Sequence, residues 1–383
     1  VLASKNASLE EYYLMQKLAR GFGTENIDFR LDHANLSEAS SMDSSITLSE
    51  IESVDHALIL SSYTRLEQPM ISHRIRKAVI NGATVNTINS KKFDFNFKTK
   101  IDLLASPQTL LPALQSILKS LYLKTKADLP EQLSKVNFSD EHDKFADDLI
   151  ASENGVIVLG EHLNSNSSSS VIISTVSQIA RISNSKIANL TLSGNAHSAE
   201  KVGFIPTNQG MNAGSMLTES SKAFLLMDVD SEYDFYNPKL AMDLFNKDDV
   251  FVVSLTSFEN QSTLLSADVI LPMASFYETS GTHINFDGIA QSFSASVKSP
   301  GDSKPGWKII KVMADLLKLE GFNFVDSSQV AEKALLSSKA QTNISGVSAE
   351  TFEDSDITTL WQYAPYAIDN VTRRAKALQD SNI

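Results

Sequence analysis

Residues 57–88 read ALILSSYTRLEQPMISHRIRKAVINGATVNTI, and this stretch decides the fold class. Residues 57–61 form a short, mostly apolar run that predicts a buried strand, and residues 70–81 have the spacing of an amphipathic helix. Gly82 is placed to end that helix, and residues 83–88 predict a second strand. A strand, a helix and a strand at this spacing are typical of a parallel crossover, so we predict an α/β fold.

The same alternation of strands and helices extends along the chain. Further strands are predicted at residues 155–160, 188–192, 223–227, 250–254 and 269–271, and helices at residues 9–20, 101–122, 171–183 and 307–319. Capping-box patterns at residues 8–11, 47–50 and 256–259 predict helix starts, and residues 124–144 read as a connection with partial helix. We expect two doubly wound, Rossmann-like α/β/α domains over residues 1–184 and 185–330, followed by a C-terminal tail over residues 331–383.

Composition excludes several functions. The 383 residues contain no cysteine, which excludes a thiolate-bound iron–sulfur cluster or a cysteine-based zinc site within them. The net charge of -13 argues against a nucleic-acid partner, because phosphate binding needs clustered positive charge. The longest apolar runs are far shorter than the roughly 20 residues of a membrane helix, so we expect a soluble chain without direct membrane insertion.

Few motifs carry chemistry. Gly21 and Gly23 follow a helix and lack the third glycine of a dinucleotide turn, so they indicate a helix end. The seven histidines lack metal-ligand spacing, and no metal site is predicted from them. The acidic run at residues 228–234 lacks the glycine and the distal glutamate of a calcium loop, so it predicts a solvated loop.

The loop at residues 208–214, NQGMNAG, follows a strand-like segment. Small and amide residues there suit a ligand crevice at the carboxyl end of a parallel sheet, but glycines also serve tight loops for backbone reasons alone. Asn208, Gly210 and Asn212 are therefore candidate pocket residues, with a purely structural loop as the alternative.

Two stretches resemble a known superfamily. Residues 9–31, LEEYYLMQKLARGFGTENIDFRL, are similar to a segment of molybdopterin oxidoreductases such as formate dehydrogenase. Residues 266–293, SADVILPMASFYETSGTHINFDGIAQSF, resemble that superfamily's pattern of ADVILP, E-x-x-GT and N-x-x-G-R-x-Q. Three segments resemble the large iron–sulfur subunit of bacterial NADH:quinone oxidoreductase, respiratory complex I. They are ILPMASFYETSGT within the second stretch, HRIRKAV at residues 73–79 and RRAKALQ at residues 373–379.

The resemblance implies an arrangement of cofactors. The chain would be the C-terminal part of that subunit, and since Val1 is not an initiator methionine, we expect an upstream region with cysteines that hold 2Fe–2S and 4Fe–4S clusters. Asp32 lies near the family's metal-ligand position, and Ile289 stands where the family has arginine. Both residues favour a domain that kept the fold and lost the cofactor. No cofactor and no catalytic residue are therefore expected here. Asp32 is a metal ligand only if a molybdenum site was kept. The vestigial pocket would be bordered by Asn208, Gly210, Asn212, Glu278, Thr282, Asn285 and Gln291.

The implied role is structural. The parent protein would be a proton-translocating NADH:quinone oxidoreductase of the respiratory electron-transport chain, at the cytoplasmic face of the bacterial inner membrane. This part, inactive alone, would contact other peripheral-arm subunits, with Arg373 and Arg374 either reaching a partner's carboxylates or ending a solvated helix. One alternative is a molybdenum or tungsten pterin oxidoreductase domain, which a bound pterin would decide. Another is a small-molecule-binding α/β module using loops 208–214 and 281–291, which saturable binding of a nucleotide-like ligand would support.

Overall fold

A computed structural model describes residues 1–33, 44–137, 139–191, 194–207, 210–219, 221–337, 366 and 369–380. The strands are β1 (Leu2–Ala3), β2 (His56–Leu60), β3 (Thr84–Asn89), β4 (Ile101–Leu104), β5 (Gly155–Leu159), β6 (Lys186–Asn189), β7 (Ala223–Met227), β8 (Phe251–Thr256), β9 (Val269–Pro272), β10 (Gly281–Ile284) and β11 (Ala290–Phe293). The α-helices are α1 (Leu9–Gly21), α2 (Thr64–Glu67), α3 (Pro69–Ile80), α4 (Pro107–Thr125), α5 (Glu131–Ser134), α6 (Asp140–Ala151), α7 (Ser169–Ser183), α8 (Ala196–Lys201), α9 (Ala213–Thr218), α10 (Pro238–Phe245), α11 (Gln261–Ser266), α12 (Gly306–Leu316), α13 (Ser327–Ser337) and α14 (Lys376–Gln379). Short 3-10 helices cover Glu50–Ser53, Glu161–Ser165, Phe276–Glu278 and Thr372–Arg374. The predicted α/β class is confirmed.

The first unit contains a five-stranded parallel sheet and includes the described residues 44–191. Its strand order is β4-β3-β2-β5-β6, so the chain builds outward from β2 in one direction and then returns to its other side with β5. This reversal is the switch point of a doubly wound sheet, where ligands of this fold bind beyond the carboxyl ends of the strands. The stretch quoted first, residues 57–88, supplies β2, α3 and β3 as predicted.

The second unit contains a four-stranded parallel sheet, β1-β7-β8-β9, and includes the described residues 1–33, 194–337 and 369–380. Alternate side chains of a strand point to opposite faces, and in β7 both faces are buried. Leu225 and Met227 join a core with α1 and α12, whereas Phe224 and Leu226 join a core with α9 and α10. Helices therefore cover both faces of this sheet.

The expected domain boundaries differ from this division. The first strand belongs to the second sheet, because Leu2 pairs with Leu226 in a parallel register, and α1 packs against α12 in one core. A first domain over residues 1–184 would have separated these partners. The expected tail also starts too early, because α13 buries Val330 and Ala334 in the same core.

Local predictions failed at two places. Residues 101–104 form β4 instead of the start of a helix, because Ser106 caps α4 and Pro107 occupies its first turn, which leaves the preceding apolar residues to pair with β3. The connection with partial helix predicted at residues 124–144 is confirmed, since this stretch contains α5 and the start of α6. The pattern at residues 256–259 is not a capping box, since Asn260 caps α11 by accepting from the Thr263 amide at 2.7 Å.

The longest helix that the structure describes is α4, with 19 residues. It buries Leu114, Ile117 and Leu121 in the core of the five-stranded unit and exposes Lys124 on its other side. Among the described residues, no helix combines the length and the apolar character that crossing a bilayer requires.

Candidate functional site

A cavity of about 250 Å³ lies at the carboxyl edge of the four-stranded sheet. Its walls come from the segments that follow each of the four strands: residues 6–8 after β1, Asp228 after β7, residues 257–258 after β8 and residues 273–274 after β9. Phe276, Tyr277 and Thr279, the hairpin residues His283 and Phe293, and residues 369–372 complete the lining, together with Glu11 of α1. The position is the one where open parallel sheets bind ligands; we call it the sheet-edge cavity.

A buried carboxyl group, that of Glu11, and a half-buried one, that of Asp228, line this cavity. Glu11, 6% exposed, lies in the first turn of α1, where its carboxylate accepts from the Ser8 amide at 2.8 Å and completes the predicted capping box. Asp228 has the left-handed backbone angle φ of 52° directly after β7. Burial raises the pKa of Glu11, and burial together with the neighbouring Glu11 carboxylate raises the pKa of Asp228. Both groups therefore hold their protons more tightly than a solvated carboxyl does.

One wall of the cavity is a C-terminal segment, residues 369–380, which we call the strap. Its Asn370 side chain donates to the Asp228 carbonyl at 3.0 Å. Arg373 lies 2.8 Å from the Asp234 carboxylate, and Arg374 lies 3.3 Å from that of Asp230. The Asp230 side chain is only 1% exposed, so the strap supplies the charge that compensates a buried acid.

This contact corrects two expectations. The acidic run at residues 228–234 is not a solvated loop, because Asp230 is buried and also accepts from the Asn260 and Ser262 side chains, each at 3.1 Å. The arginine pair does not end a solvated helix, because Arg373 and Arg374 bind acids of their own unit. Sequence separation concealed the contact, since about 140 residues lie between the partners.

The hairpin of β10 and β11 is held to α1 by a third acid. Glu10, 1% exposed, accepts from the Thr282 amide at 2.9 Å and from its hydroxyl at 2.8 Å. Burial raises the pKa of Glu10 to about 7, although the hydrogen bonds to Thr282 lower it in part. Because His283 and Phe293 of this hairpin line the cavity, the Glu10 contact positions one of its walls.

The switch point of the five-stranded sheet is more tightly closed. Gly160, at the end of β5, approaches Ser61, at the end of β2, so closely that a Cβ atom on Gly160 would lie 2.1 Å from the Ser61 carbonyl oxygen. The crevice beside them, lined by His162 and Asn89 among others, has a volume of about 30 Å³. This is far less than the volume of the sheet-edge cavity, so the crevice is the narrower of the two.

This close approach predicts a position-specific effect. Gly160→Ala is expected to lower the free energy of unfolding by about 1–3 kcal/mol, because the methyl group forces two strand ends apart. Gly155→Ala, at the other end of β5, is the matched control: the added Cβ would meet the hydroxyl groups of Ser152 and Ser185, which can rotate away. Urea unfolding of both variants measures the difference, and equal losses would contradict the close approach.

Comparison with known proteins places the chain in a family. The sequence matches the model of the molybdopterin oxidoreductase family over residues 1–316. The chain belongs to this family. The resemblance found in the two stretches, residues 9–31 and 266–293, is thus confirmed over most of the chain.

Proteins similar to this chain include complex I subunits. The mitochondrial NADH dehydrogenase [ubiquinone] iron-sulfur protein 1 of Solanum tuberosum is 24% identical over 324 residues, which cover 82% of this chain and 38% of the relative. The F420-dependent formate dehydrogenase 1 subunit alpha of Methanococcus maripaludis is also 24% identical, and the match covers 86% of this chain and 59% of that subunit. The chain thus spans less than two thirds of the length of these relatives.

Solved structures agree on the fold. Acetylene hydratase from Pelobacter acetylenicus superposes with a TM-score of 0.62 at 13% identity, and the match covers 88% of this chain and 58% of the hydratase. At this identity the likeness concerns the architecture alone.

The predicted pocket residues of this family member lie in several places. Gly210 packs against the Glu25 carbonyl, where a Cβ would be 2.3 Å away, and Asn212 caps α9 by accepting from the Ser215 amide at 2.9 Å. Asn208 lies outside the described residues. Loop 208–214 is therefore described only in part. Of its two described candidates, Gly210 allows a close approach to the Glu25 backbone, and Asn212 caps a helix.

The remaining candidates lie around the hairpin. Thr282 binds Glu10, Asn285 accepts from the Asp287 and Ile289 amides in the hairpin turn, and Gln291 is exposed on β11. Glu278 accepts from the Ser275 amide and lines a neighbouring groove along β9. The sheet-edge cavity is bordered by Thr279 and His283 instead. Sequence reasoning missed Glu11 because its place in a capping box already explained it. It missed Asp228 because an acidic run is usually a solvated loop.

The charges around the cavity bear on the cofactor of the family. Molybdopterin carries a phosphate, and proteins bind phosphates through cationic side chains and helix N-termini. None of the described residues that line the cavity is Lys or Arg, whereas Glu11, Asp228 and Asp369 bring carboxyl groups. One carboxylate oxygen of Asp32 is 2.7 Å from the Lys5 ammonium group, and the other is 3.9 Å from His33 Nε2. The described lining therefore offers an anionic cofactor carboxyl groups and no cationic side chain of Lys or Arg.

Proposed function

We propose that this chain is a scaffold region of the large iron–sulfur subunit of a respiratory NADH:quinone oxidoreductase, with a cofactor cavity that no longer serves molybdopterin. The observation that carries the proposal is the lining of the sheet-edge cavity, whose described residues bring the carboxyl groups of Glu11, Asp228 and Asp369 and no Lys or Arg to bind a phosphate. The matches to complex I subunits support the assignment to that enzyme. The iron–sulfur clusters belong elsewhere in the subunit, because these 383 residues contain no cysteine.

The scaffold acts through packing. In the four-stranded unit, α1 and α12 form one rigid wall, and the strap ties residues 369–374 back to the sheet edge. We expect these surfaces to carry contacts with other peripheral-arm subunits at the cytoplasmic face of the membrane. Electron transfer then passes through clusters outside this chain, and this region alone has no NADH oxidation activity.

A second candidate is a molybdenum or tungsten pterin oxidoreductase domain. The match to a formate dehydrogenase subunit over 86% of this chain favours it. In that case the anionic pterin would need cations from outside the described lining, because Lys5 is paired with Asp32.

One experiment decides between the two candidates. The complex is purified with this region present or deleted, and molybdenum, tungsten and extracted pterin are quantified per mole of subunit. We expect less than about a tenth of an equivalent of each, less assembled complex after deletion, and nearly unchanged NADH:quinone turnover per assembled complex. Near one equivalent of molybdenum would establish the second candidate. Normal assembly with collapsed specific turnover would exclude the scaffold.

A further inference from the structure

We propose that the sheet-edge cavity binds a small organic cation, an ammonium group attached to an aromatic or aliphatic body. This inference rests on the proposed loss of the anionic pterin from the same cavity. It concerns what the remaining surface recognises, and three features of that surface carry it: the sign of its charge, the position of two carboxyl groups and the nature of its walls.

The charge of the lining is one-sided. Glu11, Asp228 and Asp369 line the cavity, and its described lining includes no cationic side chain of Lys or Arg. Arg373 and Arg374 lie nearby, but their guanidinium groups bind Asp234 and Asp230. Burial raises the pKa of Glu11 and Asp228, so a cation that binds here favours their charged form, whereas an anion favours their neutral form.

Two of the acids, Glu11 and Asp228, line the same cavity. The Glu11 charge contributes to the raised pKa of Asp228, after burial as the main cause. An opposite charge bound in this cavity relieves the repulsion between the two carboxylates. An ammonium group donates hydrogen bonds to such carboxylates without requiring a rigid fork of donors.

The walls suit an organic cation better than a hydrated metal ion. Phe276 and Phe293 have ring centroids 4.7 Å apart, and the His283 ring lies 5.7 Å from Phe276. Burial lowers the pKa of His283, so its ring stays neutral at pH 7 and does not repel a cation. Aromatic faces attract ammonium groups, and the volume of about 250 Å³ lies below that of drug-sized sites, which favours a small ligand.

The test uses matched probes on the purified protein that contains this chain. Titration calorimetry compares 2-phenylethylammonium with 2-phenylethanol, which has nearly the same size and no charge, and with GDP as an anionic probe. We expect the ammonium to bind saturably and at least about tenfold more tightly than the alcohol, and GDP not to bind. Equal affinities for the ammonium and the alcohol, or no ammonium binding, would overturn the inference.

Two conservative variants locate the site. Asp228→Asn removes a charge while keeping a residue that tolerates the left-handed φ of 52°, and Glu11→Gln keeps an acceptor for the Ser8 amide. Each is expected to weaken ammonium binding about tenfold, whereas Asp248→Asn, exposed on the turn before β8, should have no effect. Unchanged binding in both cavity variants would reject this site. GDP binding without ammonium binding would overturn the proposed loss of the pterin site as well, whereas failure of both probes would overturn only the cation site.

Discussion

Replacing Arg373 and Arg374 together by Met is expected to lower the free energy of unfolding of the four-stranded unit by about 3–5 kcal/mol. Met keeps the length and apolar body of the side chain but leaves Asp230, 1% exposed, and Asp234, 16% exposed, without a cation. Burial raises the pKa of Asp234 to about 6, and Arg373 together with a hydrogen bond from the Asp230 amide offsets part of this desolvation cost. Urea unfolding measures the loss, and hydrogen exchange of residues 369–380 reports release of the strap.

The control variant is Lys222→Met. Lys222 and Asp249 form an ion pair in the same unit, with side chains 58% and 64% exposed, and exposed pairs contribute only about 0–1 kcal/mol. If the double arginine variant costs no more than this control, the strap is not held by the buried acids. Adding Asp230→Asn should recover part of the loss, because it removes the uncompensated charge.

The same variant separates two roles for the arginine pair. If the pair acts within its own unit, assembly of the complex falls together with the free energy of unfolding. If the pair instead contacts a partner's carboxylates, assembly falls while the unfolding free energy stays unchanged. Quantifying assembled complex on a native gel beside the unfolding data distinguishes the two, with NADH:quinone turnover per complex expected to remain nearly constant.

Sequence reasoning succeeded where the signal is local. The apolar run at residues 223–227 became β7 with the predicted bounds, and residues 57–88 gave the crossover that defines the five-stranded sheet. Such runs are decided by burial on both faces of a parallel sheet, which leaves a continuous apolar pattern. The capping box at residues 8–11 was also local and is confirmed.

The sequence concealed the features that depend on distant partners. A two-residue strand, β1, has no periodicity to detect, and it is fixed by pairing with β7, more than 200 residues later, and by a bridge between Leu2 and Asp28. From the local sequence, Asp230 is expected in a solvated loop, and only the fold shows that Arg374 compensates its charge. The capping box accounts for Glu11 in the sequence, and only the fold places Glu11 in the same cavity as Asp228. A site assembled from strand ends and a C-terminal strap therefore could not be derived from spacing.

Glu10→Gln is expected to change how stability depends on pH. The pKa of Glu10 is raised from 4.5 to about 7, mainly by burial. Between these values the folded chain binds more protons than the unfolded chain, so the contribution of Glu10 to stability falls as pH rises through this window. The full change corresponds to about 3 kcal/mol. The variant removes this term, although it loses part of the hydrogen bonding to Thr282, a cost of about 1 kcal/mol.

The two effects give opposite signs at the two ends of the window. At pH 4.5 the variant should be less stable than the parent by about 1 kcal/mol, because only the hydrogen bonding has changed. At pH 8 it should be more stable by about 2 kcal/mol, because the parent then carries a buried, uncompensated carboxylate. Urea unfolding at both pH values measures the crossing, with Glu219→Gln, exposed at the end of α9, as a control that should not cross. A difference between variant and parent that is the same at both pH values would show that Glu10 does not hold the hairpin as a buried carboxylate. Hydrogen exchange of residues 281–293 would then identify which other contact positions this wall of the cavity.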